Sequence, residues 1–291
     1  MKLELEEIKK FRDFDREYFR KISKNKIKIN VGNVKEKILD IKLKKNEINY
    51  IEINIDKNIN VNLFDFSKCD GDYIKIVEIN VDENSIVNYR SLQNDGNVKY
   101  FCRKYGNVKN NSELNWIGCF IGSGTGIEET KTFLAGENSG SNNYSVIFGN
   151  NEQKFEINNV MIHERSNTYS DMRSNIILND KAFVRNSGLI KIKENSVNCK
   201  GYQKSDTILL SEDAKSIIIP NLEIKNDEVK CSHGATISQI NDEDLFYLMS
   251  RGLSEEEAKR TIISGFFEPI LVMIKDNKIK EEINHAIINK I

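Results

Sequence analysis

Two residues late in the chain offer soft-ligand chemistry. Cys231 and His233 lie two apart in the stretch Lys230-Cys231-Ser232-His233-Gly234-Ala235-Thr236. On a strand, a period of two sends both side chains off the same face. A thiolate beside an imidazole is a pair suited to iron or zinc. The same two residues also suit a plainer part, a buried thiol and a hydrogen-bonded ring at a strand end. The remaining candidates are dispersed. His163 precedes Glu164 and Arg165 and reads as a structural or interface histidine, and His285 reads as a solvated one. Cys69, Cys102 and Cys119 lie in strand-like segments and read as buried apolar volume. The five cysteines are widely spaced and contain no C-x-x-C pair, which argues against a zinc ribbon or a thioredoxin-like site. Reduced thiols in a cytoplasmic protein fit this usage.

The elements that must position these residues change character along the chain. Its 291 residues suffice for one large elongated domain or two small ones. With 30% charged residues and a net charge of −1, the whole molecule lacks a nucleic-acid signature. Residues 1–50 carry +6 and the remainder −7, which suits a solvated helical face or a basic arm for an acidic partner. Met1-Lys2-Leu3-Glu4-Leu5-Glu6 has no apolar core of a secretory signal, and no run of 18 apolar residues exists to span a membrane. Asn, Lys and Ile are abundant throughout, a bias set aside here as genomic.

Residues 3–22 read as an amphipathic helix, with Ile8, Phe11, Tyr18, Phe19 and Ile22 on one stripe. From about Lys26 the period becomes two, as in Ile51-Glu52-Ile53-Asn54-Ile55 and Ile59-Asn60-Val61-Asn62-Leu63. Strands recur to about residue 231, joined by Asn, Asp, Gly and Ser. No long helical period interrupts them, which argues against a βαβ layout, and a sandwich, a barrel and a β-solenoid stay open. Gly122-Ser123-Gly124-Thr125-Gly126 lacks the Lys-Ser/Thr of a phosphate loop and reads as tight turns. Beyond Gly234 the pattern is helical. Asn241 caps one helix that Gly252 ends, and Ser254 with Glu257 forms a capping box for a second that stops before Pro269. A last helix is expected over about 278–288.

Residues 220–268 resemble the C-terminal segment of the SufB/SufD family of iron–sulfur cluster assembly proteins. The matching residues are Pro220-Asn221-Leu222-Glu223-Ile224, Val229 to Thr236, Leu245-Phe246-Tyr247-Leu248, Ser250-Arg251-Gly252-Leu253 and Gly265-Phe266. Upstream, His163-Glu164-Arg165-Ser166, Gln203 and Leu209-Leu210-Ser211 are similar to further family elements. The likeness is dense over 163–268 and fades before about 112. It implies a mainly β fold, a right-handed parallel β-helix with flanking N-terminal and C-terminal helical segments. The implied division is an N-terminal helix and strands over 1–50 as a docking arm, a β-helix core over 51–235, and a helical region over 236–291 that binds a SufC-like ABC-type ATPase. Phe246, Tyr247, Arg251, Gly252, Phe266 and Phe267 are the residues expected to meet it.

By the same resemblance, two such chains pair near Cys231 and His233, and a transient 2Fe–2S or 4Fe–4S cluster is assembled there. ATP-driven dimerisation of the partner is thought to open that seam. Cys199 and His163 are weaker candidate ligands. The chain departs from the scaffold-type members at Ser205, where they carry Cys, and at Ser232 and Gly234, where they carry Glu; the Cys-Ser-His-Gly form looks like SufD. It is also short, like members of minimal systems in which one such protein pairs with itself rather than with a SufB-like sibling. The expected role is a scaffold without catalysis of its own, free of nucleic acid and membrane. The alternatives are a non-ligating SufD-type tether and a β-helix enzyme acting on a polysaccharide.

Overall fold

The computed structural model describes residues 15–93, 96–122, 125–273, 280, 281 and 285. The first described helix is α1 (Arg16–Ile22), whose start is capped by Asp15 accepting from the Tyr18 N–H at 2.8 Å. Ile8 and Phe11 of the expected longer helix lie outside the described residues. Of the expected stripe, Phe19 is buried, while Tyr18 and Ile22 are exposed. Phe19 sits on the outer face of one sheet against Tyr50, Ile74 and Phe101. Arg16 and Arg20 both pair with the buried Glu78, at 3.2 and 2.7 Å.

Strands then follow one another in a regular alternation. The first four are β1 (Asn25–Val31), β2 (Glu36–Leu39), β3 (Ile48–Ile55) and β4 (Asn60–Asp65). Next come β5 (Tyr73–Val81), β6 (Ile86–Gln93), β7 (Lys99–Val108) and β8 (Glu113–Phe120). They continue as β9 (Thr125–Leu134), β10 (Gly140–Gly149), β11 (Lys154–His163) and β12 (Tyr169–Leu178). The last are β13 (Phe183–Ile192), β14 (Cys199–Leu209), β15 (Lys215–Ile224) and β16 (Val229–Gln239). Odd strands form one eight-stranded sheet and even strands another. Every pairing between these strands is parallel, each strand lying on the one two places earlier. This is a parallel β-solenoid, and it resolves the three β architectures that periodicity left open.

Parallel in-register stacking places like on like, and the sequence exploits this in asparagine. Asn58, Asn84, Asn111 and Asn138 are linked side chain to side chain, and all four hold positive φ between 55° and 61° at the same corner of successive coils. Asn tolerates that left-handed backbone, and its carboxamide both donates and accepts along the stack. A second ladder runs through Asn30, Asn54, Asn80 and Asn107, and a third through Asn62, Asn88, Asn115 and Asn142. The asparagine bias set aside above is therefore structural. The coil also lengthens: ladder partners are 24 residues apart at Asn30/Asn54 and 31 apart at Asn167/Asn198. A drifting period hides the repeat from inspection of the sequence.

The lumen is aliphatic at its flanks and polar along one line. In one sheet Ile55, Val81, Val108, Leu134, His163 and Ile192 stack in register. In the other, Asp65, Ser91, Gly118, Ser145, Ser174, Ser205 and Ala235 do so. Buried charges in the early coils are paired: Lys75 with Asp65, and Lys104 with Glu128 at 2.5 Å. Gly126 lies in β9, not in a turn, and is glycine for a steric reason: a Cβ there would sit 2.1 Å from the Tyr100 ring. Ser123 and Gly124 of that segment lie outside the described residues.

The chain leaves the solenoid after Gln239 and forms α2 (Asp242–Ser250), capped by Asn241. Gly252 takes φ +100° after it. The helix α3 (Glu255–Leu271) opens on the expected capping box of Ser254 and Glu257. It does not stop before Pro269, as the sequence suggested, but runs through it. Proline removes one helical donor, yet Phe267, Ile270 and Leu271 on either side are buried against the outer face of the even-strand sheet, and that packing holds the last turn. Asn175 on β12 adds a 2.5 Å hydrogen bond to the Phe266 carbonyl. The further helix expected over 278–288 lies outside the described residues except at 280, 281 and 285.

Candidate functional site: the terminal coil

Cys231 and His233 both lie on β16, the last strand of the even sheet. β15 occupies the same place in the odd sheet, so the final coil presents two edges. Cys231 stands in register with Gly201, and His233 with Gln203. The thiol is half-buried against the apolar group of Met161, Met172, Ile190, Ile192 and Cys199. Gly201 makes this possible, since a Cβ there would lie 3.1 Å from the Cys231 sulfur and 3.0 Å from Ile190. Burial pushes the Cys231 thiol above its ordinary pKa, against a hydrogen bond from the Gly201 backbone that favours the thiolate. His233, two residues on, is exposed.

The weaker candidates are placed apart from this pair. His163 is fully buried, in the aliphatic column two coils below. Its Nδ1 lies 2.7 Å from the Thr168 hydroxyl and its Nε2 2.9 Å from that of Ser170. Thr168 donates to the Arg165 carbonyl, so its oxygen accepts from Nδ1–H, and Nε2 accepts from Ser170. Burial lowers the imidazole to about 4 and keeps it neutral. Cys199 is buried too, its sulfur within 3.1 Å of Thr168 and facing the carbonyls of Arg165 and Ser196. Both side chains are engaged inside the rod. Cys69, Cys102 and Cys119 are buried, the last under α3. Ser205 is buried and accepts from Asn186 at 2.9 Å. Among the described residues no group of three or more His, Cys, Asp or Glu is arranged to hold a metal ion.

The expected partner-facing residues divide. Phe246 and Tyr247 are 74% and 56% exposed on α2, and Arg251 stacks over the Tyr247 ring at 5.2 Å. Gly252 lies in the adjoining turn with open space around it. Phe266 is half-buried, and Phe267 is wholly taken up by the chain's own core under α3. Helical spacing could not reveal this, because the surface that covers Phe267 comes from β8, β10 and β12, more than a hundred residues earlier at its start. Sequence reading also passed over Gly201, whose role rests on a contact between coils.

A family model described as the SUF system FeS cluster assembly, SufBD core domain, matches residues 43–266. The chain belongs to the SufBD family. The match runs from the second coil of the solenoid to residue 266 within α3 and includes both Cys231 and His233. An iron–sulfur cluster assembly SufBD family protein of Mycobacterium leprae is 31% identical over 204 residues, 70% of this chain and 24% of the relative. One of Staphylococcus saprophyticus is 33% identical over 184 residues, 63% of this chain and 40% of the relative. One of Staphylococcus aureus strain USA300 is 32% identical over the same length. The aligned part thus spans a quarter to two fifths of these curated relatives. The family works in iron–sulfur cluster assembly. Among the described residues no helix is long and apolar enough to cross a membrane.

Proposed function

We propose that this chain is a scaffold subunit of an iron–sulfur cluster assembly complex, closing its last coil against a second SufBD-type chain with Cys231 and His233 at the seam. The observation that carries the reading is the position of this pair on a strand that, among the described residues, has no neighbour on its outer side. An open parallel edge offers unpaired backbone groups to another chain. Ile217, Ile224 and Ile237 are exposed on the same coil, which gives that contact apolar area. One chain brings a thiol and an imidazole. Two copies about a two-fold axis would bring two of each, enough for a 2Fe–2S or 4Fe–4S cluster carried as cargo. A longer SufB-like sibling would serve the same geometry. Phe246 and Tyr247 suit docking by a SufC-like ABC-type ATPase, whose nucleotide chemistry would belong to that partner.

The test is co-expression with a SufC-like ATPase, anaerobic purification, and measurement of the visible spectrum, bound iron and subunit stoichiometry. The expected result is reversible iron binding that Cys231→Ala and His233→Ala each abolish while the complex stays assembled. Iron content unaffected by both substitutions would sink the ligand assignment. A second reading, the non-ligating tether, is favoured by Ser205, a hydroxyl already bonded to Asn186 at the position where the resemblance implies a Cys in scaffold-type members. It predicts a stable complex with no iron in the wild type.

A further inference from the structure

Between the last coils the lumen contains a cavity of about 20 Å³, whose lining mixes the apolar Met172, Ile218 and Pro220 with neutral polar groups. Asn186 from the odd sheet donates its amide to Ser205, yet its Oδ1 has no hydrogen-bond partner, although the residue is 4% exposed. A buried carboxamide oxygen left without a partner is unfavourable. The Ser174 hydroxyl and the carboxamides of Asn159 and Gln203 line the same space. Lys204 also borders it, but its ammonium is drawn outward to Asp206 at 2.7 Å, so the lining is uncharged. A single water needs roughly 10–15 Å³ and two to four polar partners. A bound ion would be left without a counter-charge here.

We propose that this cavity is a binding site for one ordered water molecule, held by the free end of the Asn186 carboxamide and at least one of Ser174, Asn159 and Gln203. The site is one strand below the exposed end, since Gln203 and Ser205 pair with His233 and Ala235. The water completes the hydrogen bonding of the polar line that runs up the lumen through Ser145, Ser174 and Ser205. The inference stands on the cavity and the unpaired oxygen, and is independent of what the terminal coil binds.

A high-resolution crystal structure of the full chain tests it, together with water–amide cross-relaxation by NMR in solution. The expected result is one density peak within hydrogen-bond distance of Asn186 and a second lining group, with a long-lived water signal at the neighbouring amides. Asn186→Leu should abolish both peak and signal. An empty cavity in the wild type would overturn the proposal. So would an Asn186 carboxamide with both ends bonded to protein, or a peak that survives in Asn186→Leu. Should that variant fail to fold, the wild-type density and cross-relaxation decide the matter alone.

Discussion

At the scale of single residues, the reactivity of the candidate thiol is governed by a glycine on the strand beneath it. Cys231 is the one cysteine of the five that is not fully buried, so alkylation of the folded protein reports on it. Gly201→Ala would place a methyl 3.1 Å from the sulfur and push the thiol outward while keeping the backbone N–H. Relief of burial lowers the thiol pKa towards its ordinary value, and the thiolate is the reactive form. We expect iodoacetamide to modify Cys231 several-fold faster in the variant; an unchanged rate would show that Gly201 does not control the pocket. His163 gives a second prediction. Its folded value of about 4 lies below the ordinary 6.5, so between these the unfolded chain binds a proton that the folded chain refuses. Stability therefore falls as the pH drops through that window and loses nothing further from this group below it. The full loss is on the order of 3 kcal/mol. Denaturant melts at a series of pH values should show this acid limb in the wild type and lack it in His163→Gln. That Cys231 and His233 share one strand is legible from their spacing, but the enclosure of His163 is not, because its place in an aliphatic column is decided by residues 29 positions away on either side.

At the scale of elements, strands were readable and their partners were not. Alternation marks a half-buried strand whatever sheet it joins, and only the family likeness pointed to a solenoid. The asparagines held the missing clue. Their recurrence at one positive-φ corner per coil identifies a stacked architecture from within the sequence, once the drift in spacing is allowed for. The helix α3 was misjudged at its end because proline was weighed against local hydrogen bonding alone. Tertiary packing prevails there: Ile263, Phe267, Ile270 and Leu271 bury one face on the even sheet. Phe267→Ala should cost about 3–5 kcal/mol, read as a lower denaturation midpoint. It should also expose the outer faces of β10 and β12, read by hydrogen exchange of α3. Full protection of α3 in the variant would mean that other contacts hold the helix.

At the scale of the whole molecule, a rod of stacked coils meets a helical tail that doubles back along its flank. The tail leaves the rod at Gln239, at the end bearing Cys231 and His233. Yet its main attachment is at β10 and β12, through Phe267, its neighbours and the Asn175 bond to Phe266. In mechanical terms, the anchor bolts of the lever are sunk into mid-shaft. A pull delivered to α2 reaches the terminal strand through the short tether of residues 240–241, while the same pull on α3 is carried by the rod's middle. An actuator gripping α2 alone would tug at the tip; one that seized both helices would move the shaft as a unit.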